Sequence, residues 1–242
     1  MKRFILLIIV LFVFNFCKKE NENLLEAEFT STSFGDYRKQ LLIKKDSTFE
    51  LKVYDKVFDD PIKKDSLFGK VKIHQDTIYF NDSNSFFWAD KAILKNGFIE
   101  FFQDDETYKL EIIQTKLNQL NTIDYSQFPN YAVFPFSRSN LEINFFEVTS
   151  AELTQIDKLI RYEISTNSNL RDYQDYLFQV TVFSNSNNEI IADVDLFCGG
   201  HYRDNAFKFN QIRMNGGGNC NVWIELNLSK NEILNTHIAG SL

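Results

Sequence analysis

Ala92-Ile93-Leu94-Lys95-Asn96-Gly97-Phe98-Ile99-Glu100-Phe101-Phe102 is the stretch from which the fold can be read. Two short apolar runs flank Asn96-Gly97, and both turn residues tolerate the positive φ of a two-residue type I′ turn, so the segment reads as a β-hairpin. The same punctuation recurs on either side of it. Arg38 to Lys44 and Thr48 to Tyr54 flank Lys45-Asp46-Ser47, Leu67 to Ile73 and Thr77 to Asn81 flank His74-Gln75-Asp76, and Tyr108 to Ile113 completes the series. Strands at such regular spacing, with no helix between them, imply an antiparallel meander that closes or sandwiches itself. This first β domain is expected over residues 28–116.

Two of the chain's three prolines, Pro129 and Pro135, fall in residues 117–140. Phe128, Tyr131, Phe134 and Phe136 would not stay solvated willingly, so this is expected to be a connecting segment, not a flexible linker. From 141 to 242 the pattern changes. Leu141 to Val148 alternates as a strand. Thr149-Ser150-Ala151-Glu152 then fits a capping box, and Leu153, Ile156, Leu159, Ile160 and Ile164 recur at helical spacing. The helix is expected to end near Ser165. Four strands should follow, at Leu177–Phe183, Glu189–Phe197, Phe207–Met214 and Asn221–Leu228. The fold class is therefore mainly β, with an α+β second half in which one helix packs on one face of a curved antiparallel sheet.

Leu41, Ile43, Asp46-Ser47-Thr48-Phe49, Gly69 and Asp76-Thr77-Ile78 resemble the opening of small bacterial lipocalin-like domains, with Ser47 where that pattern often has glycine. The resemblance implies a β meander or barrel for about the first 90 residues of the folded part. The strand, helix and four-strand order of the second half resembles the cystatin-like fold. The inhibitory Q-x-V-x-G pattern of cystatins is not matched, since Gln179 is followed by Thr181 and Phe183 at the decisive positions.

The chain opens with Met1-Lys2-Arg3, an apolar run from Phe4 to Phe16 that contains Asn15, then Cys17 and Lys18-Lys19-Glu20-Asn21-Glu22. A basic start, a short apolar run and an abrupt polar flank match a secretory signal. The run of about 13 residues falls short of the roughly 20 that a membrane span requires. A cysteine ending the run resembles the lipobox of bacterial lipoproteins, with Phe16 where the family has a small residue. The resemblance implies a signal segment over residues 1–17, a palmitate-bearing Cys17 at the head of the mature chain, and a tether over 18–27. Lys18 to Glu22 is similar to the tracts that follow the acylated cysteine in surface-exported lipoproteins of Bacteroidetes-type bacteria, and equally suits a solvated linker. The expected location is the cell envelope, lipid-anchored to the outer membrane on its periplasmic or surface side.

The formal charge is −7 and the 26 Lys and Arg are dispersed, which disfavours nucleic acid as a partner, because phosphate neutralisation wants a basic face. Gly216-Gly217-Gly218 lies between predicted strands and is followed by Asn219-Cys220, so it reads as a turn, not a phosphate cradle. Cys198-Gly199-Gly200-His201 sets a thiol near an imidazole but reads as a glycine-rich loop. With three histidines in the chain and no Cys-x-x-Cys, no metal site and no cofactor are expected. If Phe207–Met214 is a strand, Cys198 and Cys220 lie about seven residues of strand apart, roughly 23 Å, and no disulfide is expected.

Pleat arithmetic supplies the candidate site. Ile190, Ala192, Val194 and Leu196 share one face of their strand, leaving Asp193 and Asp195 on the other; Val222, Ile224, Leu226 and Leu228 likewise oppose Trp223 and Glu225. If the aliphatic rows meet the helix, Asp193, Asp195, Trp223 and Glu225 line the opposite face. That face could bind a cation or a polar ligand, or serve as a solvated surface or a contact with the first domain. The expected function is a lipid-anchored envelope protein with a non-enzymatic binding or assembly role. Its partners would be the membrane and an envelope protein or small ligand. The alternatives are an envelope hydrolase using Asp193, Asp195 and Glu225, and an immunity or inhibitor protein.

Overall fold

Alternate side chains of eight consecutive strands turn inward, and the sheet they form closes on itself. A computed structural model of the chain describes residues 23–31, 36–56, 63–81, 90–103, 106–135, 144–201, 205–212 and 214–240. The expected signal segment and Cys17 lie outside the described residues, as does the side chain of His201. The strands are β1 (Asn23–Ser31), β2 (Asp36–Lys44), β3 (Thr48–Lys56), β4 (Lys63–His74), β5 (Thr77–Asn81), β6 (Lys91–Lys95), β7 (Phe98–Gln103) and β8 (Glu106–Thr115). They run up and down in sequence order, and β1 pairs with both β2 and β8 to form a closed antiparallel barrel. Closure removes the free edges that an open meander would expose.

The β6–β7 hairpin turns through Asn96 (φ 50°) and Gly97 (φ 84°), as a type I′ turn requires. Ser47, at the position where the lipocalin-like pattern has glycine, adopts φ 63°, and Asp46 Oδ1 braces the turn by accepting from the backbone N–H and hydroxyl of Thr48. The later glycine of that pattern has a packing role: Gly69 lies opposite Phe49 in the β3–β4 register, and a Cβ on it would stand 2.5 Å from the Phe49 ring. The ring thus covers the bare glycine backbone. Leu25, Ala27, Leu41, Ile43, Ile78, Leu94 and Ile99 are fully buried inside the barrel, with Phe80 edge-on to Phe49 at 5.3 Å and stacked on Phe101 at 5.8 Å.

The stretch expected to be a tether gives up half its length to the barrel. β1 begins at Asn23, and Leu25 and Ala27 within residues 18–27 are fully buried. Their inward alternation continues through Phe29 and supplies the strand that closes the barrel.

The second half contains β9 (Tyr131–Phe134), β10 (Asn144–Phe145), α1 (Ser150–Thr166), β11 (Tyr176–Ser184), β12 (Ile190–Cys198), β13 (Gly218–Asn227) and β14 (Glu232–Ala239). The sheet order is β10-β11-β12-β13-β14, and β9 pairs with the same edge of β11 as β10 does. The β9–β11 pairing is parallel, so the sheet is mixed where an all-antiparallel one was expected. β9 lies in the expected connecting segment, which accordingly forms part of the second sheet. α1 carries the expected capping box at Thr149 and Glu152. Its Leu153, Ile156, Leu159 and Ile160 pack on Val180, Val194, Val222 and Ile224. Asp157 ties the helix to the sheet below by accepting from Tyr131 Oη (2.9 Å) and Tyr173 Oη (2.5 Å), while Arg161 pairs with it at 2.8 Å.

The expected strand Phe207–Met214 does not form. Asn205–Lys208 is a short 3₁₀ turn, and the chain from there to 212 crosses the sheet face opposite α1. The alternation that suggested a strand serves two cores: Phe207 packs with Ala132 and Phe134 on the sheet, whereas Phe209 enters the barrel core beside Phe29 at 4.9 Å. Gln179 holds the crossing, donating to the carbonyls of Phe207 (2.6 Å) and Asn210 (2.7 Å) and accepting from the Ile212 N–H (2.7 Å). With no strand between them, β12 and β13 are neighbours. Cys198 and Cys220 consequently meet at the same end of that pair, joined in a disulfide with a Cα–Cα distance of 4.8 Å. The expected separation of the two cysteines is thereby corrected. β14, which pattern alone did not reveal, is an edge strand whose residues are exposed or only half-buried, so it lacks the apolar alternation by which buried strands are recognised.

Candidate functional site

The aliphatic rows of β12 and β13 do meet α1, which places Asp193, Asp195, Trp223 and Glu225 together on the other face of the sheet. Asp193 stands opposite Glu225 and Asp195 opposite Trp223. β14 extends the two rows with Asn235 beside Glu225 and His237 beside Trp223. Sequence reasoning missed these two because it missed their strand. All four predicted residues are partly buried. Among the described residues, no group of three or more His, Cys, Asp or Glu side chains is arranged to hold a metal ion.

Asp195 differs from an ordinary surface carboxylate. Its cross-strand neighbour on the other side is Gln179, over which residues 207–212 fold. Loss of water pushes its pKa up from 3.8 to about 6. Between these values the folded chain holds a proton that the unfolded chain has released, so stability falls as pH rises through that window. Below about pH 4 the penalty vanishes, and above about pH 6 it is fully present. Asp195→Asn is therefore expected to stabilise the protein at pH 7 by about 2 kcal/mol, less than the roughly 3 kcal/mol of the whole shift because the amide is itself a polar group in a partly buried place, and to flatten its stability between pH 4 and 6. Urea unfolding across that range checks both effects, and an unchanged pH profile would refute them.

A second constellation lies where the barrel meets the sheet. Glu100 and Lys109 are paired across β7 and β8 on the outer face of the barrel, since Ile99, Phe101 and Leu110 fill the inside. That outer face is covered by β9, and the two side chains are only 7% and 1% exposed, with Lys109 Nζ 2.8 Å from Glu100 Oε1. Burial lowers the Lys109 pKa and Glu100 partly offsets this. The ammonium also donates to the Val133 carbonyl and lies 4.4 Å from the centre of the Phe134 ring. The Tyr125 hydroxyl accepts from the Val133 N–H at 3.2 Å, so both backbone groups of Val133 on the outer edge of the sheet are capped by side chains. Beneath this, Asn96 Oδ1 accepts from the N–H groups of Thr122 (2.7 Å) and Ile123 (3.0 Å), and Lys95 pairs with Glu147 at 2.6 Å. The hairpin turn that organises the barrel thus also anchors the chain leading to the second module.

β1 and β8 pair between Leu25–Glu28 and Thr115–Glu111. Beyond that point the edge of β8 is taken up by the crossing segment: the Lys109 N–H donates to the Phe209 carbonyl at 3.0 Å, and Tyr108 bridges Asn210. A cavity of about 230 Å³ remains at this junction. Phe98, Tyr125, Ala132 and the Asn96-Gly97 turn contribute to its walls, together with Lys109, Glu111, Asn205 and Lys208.

Searches with this chain matched no protein-family model, no curated protein and no solved structure.

Proposed function

We infer that the chain is a non-enzymatic protein of the cell envelope, anchored through an acylated Cys17, that acts by binding a partner or ligand through its second module. The observation that carries the binding reading is the register of β12 and β13, which sets Asp193 beside Glu225 and Asp195 beside Trp223 on a face that α1 leaves uncovered. Carboxylates aligned with an indole suit recognition of a polar or cationic group. Hydrolysis would instead need an acid and a base converging on one reacting atom.

One feature of the structure supports the location. A disulfide between Cys198 and Cys220 is suited to an oxidising compartment outside the cytoplasm. The six residues from Cys17 to Asn23 span at most about 20 Å, so a lipid on Cys17 would hold the barrel close to the bilayer. Metabolic labelling with an alkyne analogue of palmitate tests the anchor: the parent chain is expected to carry label in the membrane fraction, and Cys17→Ala to lose the label and leave that fraction. Persistent labelling of Cys17→Ala would rule the anchor out. Crosslinking in intact envelopes tests the face, with Trp223→Ala expected to lose adducts that the parent forms.

A further inference from the structure

Two opposite charges line the junction cavity, and of these the Lys208 ammonium lies 5.6 Å from the centre of the neighbouring Phe207 ring. Glu111 projects from β8 and Lys208 from the 3₁₀ turn of the crossing segment, and both line the same space. Neither forms an ion pair among the described residues. The other charges nearby are already matched: Lys109 with Glu100 at 2.8 Å, and Glu28, which neighbours Glu111 across β1 and β8, with Arg38 at 2.6 Å. The Asn205 carboxamide, also at the cavity, makes no hydrogen bond among the described residues. The Tyr125 hydroxyl accepts from Val133, which leaves its proton free to donate. Phe98 and Tyr125, with ring centres 6.1 Å apart and planes at 89°, give the cavity an aromatic wall.

We propose that this cavity is a binding site for a small aromatic zwitterion, a free amino acid with an aromatic side chain. Its carboxylate meets Lys208, its ammonium meets Glu111, and its ring lies against Phe98 and Tyr125. Charge selects the class. An anion without an ammonium engages Lys208 but leaves Glu111 unmatched, and a cation without a carboxylate leaves Lys208 so; each forfeits one of the two charge contacts that the zwitterion makes. Size agrees with this choice. The cavity of about 230 Å³ equals roughly eight water volumes and lies below the roughly 300–1,000 Å³ of pockets for drug-sized ligands. The site is distinct from the polar face of β12 and β13, and its occupancy does not depend on the anchor at Cys17.

Isothermal titration calorimetry of the full chain in detergent tests the proposal with three probes that share a phenyl ring: L-phenylalanine, 3-phenylpropionate, which lacks the ammonium, and phenethylamine, which lacks the carboxylate. L-Phenylalanine is expected to bind at least tenfold more tightly than either truncated probe. Lys208→Met and Glu111→Gln should each weaken it about tenfold. Lys208→Met should leave phenethylamine unaffected, and Glu111→Gln should leave 3-phenylpropionate unaffected, because each substitution removes a partner that the truncated probe never engaged. Both side chains lie outside the buried core, and unfolding midpoints equal to the parent's establish that the variants fold. No saturable binding of L-phenylalanine, or binding indifferent to both substitutions, would overturn the proposal.

Discussion

Replacing Lys109 by methionine is expected to lower the stability of the protein by about 3–5 kcal/mol, because it leaves the Glu100 carboxylate buried without its counter-charge. The pair is 1% and 7% exposed with 2.8 Å between Nζ and Oε1, so water cannot substitute for the missing ammonium. Methionine keeps most of the aliphatic volume against Phe98 and Phe134, which confines the loss to charge and hydrogen bonding. The Val133 carbonyl on the sheet edge loses its donor as well. The double variant Lys109→Met/Glu100→Met is expected to recover most of the loss, since exchanging a whole buried pair for apolar side chains is often close to neutral. Urea unfolding of the parent, both single variants and the double variant closes the cycle. A Lys109→Met protein as stable as the parent would show that the pair does not clamp the two modules as described.

Opening the disulfide is expected to have the next largest effect. Cys198 and Cys220 are 22 residues apart in sequence, and for a loop of that length the chain-entropy model gives about 3 kcal/mol. In a chain of this size that corresponds to a midpoint lower by roughly 6–12 °C. The loop so closed contains Phe207, which packs on the sheet, and Phe209, which enters the barrel, so its loosening should also release the contact between modules. Reductant should bring the parent's melting midpoint down to that of Cys198→Ser/Cys220→Ser and leave the double variant unmoved. A parent indifferent to reductant would contradict the bridge.

The junction also explains which parts of the fold could be read in advance. In the barrel, each strand obeys a local rule: period-two alternation bounded by residues such as Asn96-Gly97 and Ser47 that accept positive φ. Strand positions there follow from short-range pattern alone. The helix was equally legible, because Thr149 and Glu152 cap it through contacts three residues apart. In residues 207–212 the same alternation misled, because Phe207 and Phe209 face two different cores. Alternation reports that side chains are buried on one side of a segment but not what buries them. The disulfide followed the same error, since the distance between Cys198 and Cys220 depends on which strands are neighbours.

For the candidate site, the period-two pleat placed Asp193, Asp195, Trp223 and Glu225 on one face before any pairing was known. The raised pKa of Asp195 comes from its burial in the folded sheet, and the row-mates Asn235 and His237 required β14. The buried Glu100–Lys109 pair and the cavity beside it gave no sign in the sequence, because charged side chains at alternate strand positions ordinarily face solvent. The sequence by itself thus determined the barrel strands β2 to β8, the helix and the grouping of Asp193, Asp195, Trp223 and Glu225 on one sheet face, all of which depend on residues within a few positions of one another. Tertiary structure alone decided barrel closure by β1, the parallel strand β9, the disulfide and the junction cavity. Each of these joins segments tens of residues apart, where a residue's environment is set by surfaces that local pattern does not encode.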